Sequence, residues 1–269
     1  MTSFVCKACG TQYPPSNAPP AACPICEDPR QYIPHDEGQV WLTWEELHST
    51  HEPEIRDDHG ILGIGCTPSF AIGQRALLVK SGAGNVLWDC ISYLDAEVVE
   101  RVCAEGGLAA IAISHPHYYS SMVEWAHAFG CAVYVHEAER KWVMRPDASI
   151  RFWNGETHDL GGGLTLVRCG GHFEGGQVLH WAEREALLSG DIVQVIPDRR
   201  YVSFMYSYPN LIPLPPSQVR RIADALAPFR FEEIYGAWWD RFIPAGGSTV
   251  VRRSADRYVR AVTEPGLAS

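Results

Sequence analysis

The sequence predicts a mixed α/β (α+β) chain built as a four-layer αββα sandwich, two mixed sheets face to face with helices outside, preceded by a small metal-held module. Three observations carry that expectation. Two Cys-x-x-Cys pairs open the chain, β-rich hairpins punctuated by glycine follow from about residue 40, and from residue 95 strands alternate with helices. The length of 269 residues suits one sizeable core with an appendage, which places the boundary between a module at 1–35 and a main domain at 36–269.

Residues 1–35 are rich in proline, cysteine and small side chains, with too few aliphatics to form a core unaided. Cys6-Lys7-Ala8-Cys9 and Cys23-Pro24-Ile25-Cys26 suit two knuckles that set four thiolates around one ion, so the metal would be the core. Gly10 follows the first pair as a turn residue. The pattern resembles a zinc ribbon or a rubredoxin knuckle pair, and a four-thiolate set accepts zinc or iron. Its expected role is structural. Cys66, Cys90, Cys103, Cys131 and Cys169 are odd in number and lie in largely apolar contexts, which reads as small buried thiols without chemistry.

The main domain begins with Ala76-Leu77-Leu78-Val79-Lys80 and Asn85-Val86-Leu87-Trp88-Asp89, two runs joined by Ser-Gly-Ala-Gly, a hairpin. Asp95 caps a helix that Gly106 and Gly107 end, and 108–114 is a fully buried strand running into His115. A helix over 120–130 stops at Gly130; 131–136 is a strand and 137–145 a further helix. Three strands follow at 164–172, 178–182 and 186–191, then a helix over 216–229, a strand over 232–239 and a closing helix near 254–262.

A formal charge of −10 opposes binding to nucleic acid or anionic membranes, and no apolar run approaches the roughly 20 residues of a membrane span. The N-terminus has no charged region followed by an apolar stretch, so the expected location is the cytoplasm.

Three strand ends carry metal-ligand residues. Ser114-His115-Pro116-His117 places two imidazoles at i and i+2 in a loop; Cys169-Gly170-Gly171-His172 brings a third where glycines allow close approach; Leu188-Ser189-Gly190-Asp191 adds a carboxylate. Four ligands from three elements point to one catalytic ion.

In this order the motifs resemble the metallo-β-lactamase fold superfamily over roughly residues 60–245. That resemblance matches Trp88-Asp89-Cys90 to an early Asp motif, whose carboxylate in the family mainly orients a ligand or loop. It matches His115, His117, His172 and Asp191 to metal ligands. Two departures bear on the chemistry. Where the family has Asp-His after His-x-His this chain has Tyr119-Ser120, and where the family places a last His it has Ala237, Trp238 and Trp239. The ligands of a second metal are gone, so a single ion is expected, with Asp191 as fourth ligand or as anchor of a bound water.

Three neutral imidazoles around zinc leave an open position whose water ionises near neutral pH, so the first expectation is a metal-dependent hydrolase. Tyr119, standing in place of an acid, suits a hydrogen-bond donor to an oxyanion rather than a base. The same residues suit a mononuclear non-haem iron oxygenase of persulfide dioxygenase type, in which His115, His172 and Asp191 hold ferrous iron, or a catalytically divergent binding protein. Tyr206, Tyr208, Trp238 and Trp239 are candidates to wall the metal mouth, which favours a small, aromatic or flat substrate.

Overall fold

The computed structural model describes residues 1–264. One sheet has seven strands in chain order: Glu52–Asp57, Leu62–Thr67, Ala76–Val79, Val86–Trp88, Ala110–Ala112, Ala132–His136 and Ile150–Trp153. The other has six: Thr157–Gly161, Leu164–Arg168, Gln177–Trp181, Ala186–Gly190, Glu233–Gly236 and Phe242–Ile243. Both are mixed. Pairing turns parallel between Val86–Trp88 and Ala110–Ala112, and between Ala186–Gly190 and Glu233–Gly236, where helices make the crossovers.

Alternation along each strand sorts the layers. Leu77, Val79, Val86, Trp88, Ala110 and Ala112 of the first sheet meet Leu164, Leu166, Leu179, Ala186, Leu188 and Tyr235 of the second in one buried cluster. Their neighbours Leu78, Leu87, Ile111 and Val133 point the other way, onto Val98 and Val102 of helix Ala96–Ala104 and Val123, Trp125 and Ala126 of helix Met122–Phe129. Val167, Val178, Leu187 and Ile234 likewise face helices Pro216–Leu226 and Gly247–Thr263. The period of two in the strands therefore builds the αββα order.

The expected hairpin and the helix capped by Asp95, whose side chain accepts from Val98 N–H, form as read. Other expectations change. Residues 137–142 make only a 3-10 segment, Glu137–Trp142. The strand expected over 232–239 ends at Gly236, because Arg241 O accepts the Gly236 N–H and the chain turns through Ala237 and the two tryptophans. The closing helix starts at Gly247, and Cys103 is exposed rather than buried. Val5–Cys6 pairs antiparallel with Trp41–Leu42, and Lys7 N–H bonds Val40 O. No described helix is long and apolar enough to cross a membrane.

Candidate metal centre

His115, His117, His172 and Asp191 come together at the ends of buried strands, each offering one ligand atom, all within 4.8 Å of one another. Any two of the imidazole centroids are 5.0 Å apart. His172 Nε2 lies 3.2 Å from His117 Nδ1, and His115 Nε2 lies 3.3 Å from Asp191 Oδ1. His115 Nε2, His117 Nε2 and Asp191 Oδ1 are buried without a protein partner. Buried polar atoms are nearly always paired, so His115 Nε2 and Asp191 Oδ1, which face each other beside His117 Nδ1 and His172 Nε2, fit a shared cation.

Local backbone sets this geometry. After Ala110–Ala112 the chain enters a 3-10 turn, Pro116–Tyr118, which places His115 and His117 on one side. Gly190 sits at φ +54°, and a Cβ there would stand 2.7 Å from Ser114 Oγ and 3.3 Å from Asp89 Oδ2. Gly171, at φ +82°, packs so tightly under helix Pro216–Leu226 that a Cβ would meet Ile222 Cδ1 at 2.7 Å. Neither position admits a side chain as it stands.

Partners behind the ligands orient them. His172 Nδ1 lies 2.7 Å from Tyr206 O and 3.2 Å from Met205 O; carbonyls only accept, so Nδ1 carries the proton and Nε2 keeps a lone pair that could bind a cation. Asp89 Oδ1 accepts the Ser114 N–H at 2.7 Å, and Ser114 Oγ lies 2.9 Å from His115 Nδ1. Phe173 packs against all three imidazoles, with centroids 4.9 to 5.4 Å away.

Burial keeps the imidazoles neutral: it drives His115 and His117 well below the ordinary histidine value and His172 down to about 4, the nearby Arg30 charge adding to it. Burial, with the Asp89 charge, raises the Asp191 carboxyl to about 8, and burial raises Asp89 to about 7. Three neutral imidazoles beside a carboxylate disfavoured as an anion are what a bound cation would correct.

The tyrosine beside this cluster is Tyr118, not Tyr119. Tyr118 lies 4.4 Å, centroid to centroid, from His115, and burial followed by the Asp191 charge keeps its phenol protonated. Tyr119, one step round the 3-10 turn, is buried on another side with Glu139 as its charged neighbour, and it lines a small recess with Thr11 and Gln12 instead of the metal cavity. The oxyanion role expected of Tyr119 is therefore lost to its geometry.

A cavity of about 230 Å³ opens onto His117, His172 and Asp191, lined also by Ala8, Arg30, Gln31, Tyr32, Ala71, Ile72, Tyr208, Pro209 and Trp238. Of the four aromatics expected there, Tyr208 and Trp238 line it. Tyr206 contributes its carbonyl to His172 while its side chain borders a different recess. Trp239 lies over Gly63 and Gly65 with the Arg56 guanidinium 4.2 Å from its ring.

In the N-terminal module, the Cys6–Cys26 and Cys9–Cys23 sulfur pairs are 3.6 and 3.7 Å apart, and all four sulfurs lie within 4.8 Å. A disulfide needs about 2.05 Å, whereas metal–sulfur bonds of about 2.3 Å in a tetrahedron space the sulfurs about 3.8 Å apart. The four thiols thus fit one ion. Gln39 Nε2 and Tyr13 Oη each donate to a sulfur, on Cys6 and Cys23, at 3.2 Å. The module is stitched to the domain: Arg30, held by Asp28 at 2.6 and 2.8 Å, donates to His172 O at 3.2 Å and lies 3.8 Å over Phe173. This contact has no motif; the only sign of it in sequence is an Asp-x-Arg that begins two residues past Cys26. A third cluster, Asp58, His59 and Asp240, is partly exposed, and its buried member Asp58 is committed to Arg75.

The chain is 45% identical to the uncharacterized protein YmaE of Bacillus subtilis (strain 168), over 97% of each. No family model matches it. Among solved structures, VMB-1 superposes with a TM-score of 0.61 at 13% identity, covering 79% of this chain and 99% of that one. The DIM-1 metallo-β-lactamase gives 0.59 at 15%, covering 78% and 98%. The metallo-β-lactamase FIM-1 from Pseudomonas aeruginosa, in its mono-zinc form, gives 0.56 at 13%, covering 77% and 96%.

Proposed function

Because the chain belongs to the family of Bacillus subtilis YmaE and has the metallo-β-lactamase fold, we propose that it is a metal-dependent hydrolase working with a single active-site ion. His115, His117, His172 and Asp191 would hold it. The supporting observation is the donor set itself: three neutral imidazoles and one carboxylate converge on one point beside a cavity, and among the described residues no further His, Cys, Asp or Glu joins them. Tyr119 and Ser120, where a second ion's ligands stand in the family, are buried away from that cavity. A mono-zinc form of FIM-1 accords with one ion on this fold.

Such an ion supplies Lewis acidity and a water activated near neutral pH. The chain's residues do the rest. His172 is held in the correct tautomer by the Tyr206 and Met205 carbonyls, and the Asp89–Ser114 pair fixes the approach of His115. Asp191 faces the cavity with Oδ1 unpaired, placed to ligate or to anchor the attacking water. Tyr118 packs edge-on against His115 as a neutral phenol, a positioning residue for that imidazole. The Ala71, Ile72, Pro209 and Trp238 wall favours a small substrate with a flat apolar part.

Turnover of a panel of small esters, thioesters, lactams and phosphodiesters by zinc-loaded protein tests this reading. Hydrolysis of at least one class, lost in His115→Ala, is the expected result. Iron in the purified protein together with oxygen uptake on persulfides, without hydrolysis, would instead establish the oxygenase that the same three ligands permit.

A further inference from the structure

The polar groups lining the metal cavity are almost all engaged. Arg30 is forked onto Asp28 and donates to His172 O; Trp238 Nε1 donates to Ile72 O at 3.0 Å; Tyr208 Oη donates to Asp191 O at 2.7 Å. Two groups are not. Gln31 is 8% exposed, and its side-chain oxygen accepts the Tyr32 N–H at 3.2 Å, but its amide nitrogen has no partner among the described residues. Tyr32, 53% exposed on the same cavity, has no partner for its hydroxyl among them either. Both donors line the cavity uncommitted, so an acceptor on a ligand can take them without breaking an existing hydrogen bond.

Both residues belong to the segment that follows the second cysteine knuckle, and that segment is locked in place. Ser207 Oγ donates to Arg30 O, and Asn210 Nδ2 donates to Pro29 O and to Gln31 O, each at 3.1 Å. The four-cysteine module is thereby a wall of the reactive cavity as well as a folded appendage. We propose that Gln31 and Tyr32 are specificity-determining residues that bind the polar end of the substrate, and that this end is a neutral hydrogen-bond acceptor such as an amide or ester carbonyl.

Charge argues for the neutral group. The cavity's guanidinium is already neutralised by Asp28, so a carboxylate or phosphate at that end would find donors but no free cation. Size agrees, since about 230 Å³ lies below the range for drug-sized ligands of roughly 300–1,000 Å³ and admits a compact molecule. The inference rests on the hydrolase reading only in taking the His/Asp ion as the point to which the substrate's other end goes.

The test uses three thiols that reach the ion through sulfur: N-acetylcysteamine, with a neutral amide; 3-mercaptopropionate, with a carboxylate; and 2-mercaptoethanol, which carries neither carbonyl nor carboxylate. Their dissociation constants are measured calorimetrically on the full-length, zinc-loaded protein. N-acetylcysteamine should bind more tightly than 3-mercaptopropionate. Gln31→Glu, which keeps the acceptor for Tyr32 N–H and removes the donor, should weaken N-acetylcysteamine about 3- to 10-fold and leave 2-mercaptoethanol unchanged. Tyr32→Phe should do the same more weakly, with metal content and melting temperature unaltered in both. Equal binding of N-acetylcysteamine by wild type and both variants, or preference for the carboxylate, overturns the inference while the metal site stands. Failure of all three thiols to bind the wild type removes the metal-site reading and this inference with it.

Discussion

Replacing Gly190 with alanine tests how the metal centre is assembled. Gly190 adopts φ +54°, a left-handed conformation that costs a residue with a Cβ about 1–2 kcal/mol. The new methyl would also stand 2.7 Å from Ser114 Oγ and 2.9 Å from Ser114 Cβ, closer than real Cβ contacts allow. Ser114 cannot swing freely, because its N–H is bonded to Asp89 and its hydroxyl lies against His115 Nδ1. Relief must come from moving Ser114, and His115 moves with it. Overpacking of this kind adds about 1–3 kcal/mol, so the metal-free variant should lose about 2–5 kcal/mol in urea unfolding. Displacing a partner behind a ligand typically costs 10- to 100-fold in metal affinity, which competition with a chromophoric chelator measures. A variant within about 0.5 kcal/mol of wild type that holds its active-site ion equally well would refute the packing argument.

Other outcomes follow from the same geometry. Tyr118→Phe should weaken the active-site ion, because its buried hydroxyl and ring sit beside His115 and the Asp191 charge, while Tyr119→Phe, on a separate recess, should change stability alone; chelator competition on the two variants separates them. Asp58→Ala should destabilise by about 3–5 kcal/mol, since it strands the buried Arg75 whose Nε lies 2.5 Å from Asp58 and whose Nη1 donates to Gly236 O, and calorimetric melting reads that loss. The metal-free protein should lose stability on the order of 2 kcal/mol net between about pH 6.5 and 8. Asp89 and Glu139, raised to about 7, and Asp191, raised to about 8, all by burial, keep protons in the folded state that they lose when unfolded, so their contribution fades as pH rises through those values. The depressed histidines favour the folded state with rising pH, chiefly below their ordinary value near 6.5, and offset only part of the fall. A bound ion should flatten Asp191's share of the slope.

The fold was legible where periodicity and punctuation agreed. The run Leu108–Ser114 between Gly107 and His115 is apolar on both faces, and the helix after Asp95 has a cap, an amphipathic stripe and two terminal glycines. The edge strands Glu52–Asp57 and Thr157–Gly161 carry no strand signal, because one side of each faces solvent and their charged sequences read as loop. The helix Trp44–Thr50 is marked in sequence only by its Thr43/Glu46 capping box. Residues 137–145 misled because helix-forming residues there are ruled by tertiary contacts: Glu139 turns inward to accept the Gly175 N–H instead of facing solvent.

Of the site, the residues with a motif were legible and those without were not. His-x-His, Gly-Gly-His and Gly-Asp at strand ends mark the four atoms that meet. Which of two adjacent tyrosines faces the ligands depends on a 3-10 turn rather than an α-helix, a rotation that composition does not encode. Similarly, Trp238 and Trp239 are indistinguishable in sequence, yet the first lines the cavity and the second fills the space left by Gly63 and Gly65. The approach of residues 28–32 to His172 joins positions more than 140 apart in the chain, beyond the reach of local pattern.

Metal content of the purified full-length chain and two variants tests the central claim most directly. Elemental analysis should find two ions per wild-type chain. His115→Ala should retain one, and Cys6→Ser/Cys9→Ser should lose the ion bound by the four sulfurs. A His115→Ala variant that still holds two ions, or a wild-type chain that binds a third in its cavity, would contradict a single ion held by His115, His117, His172 and Asp191.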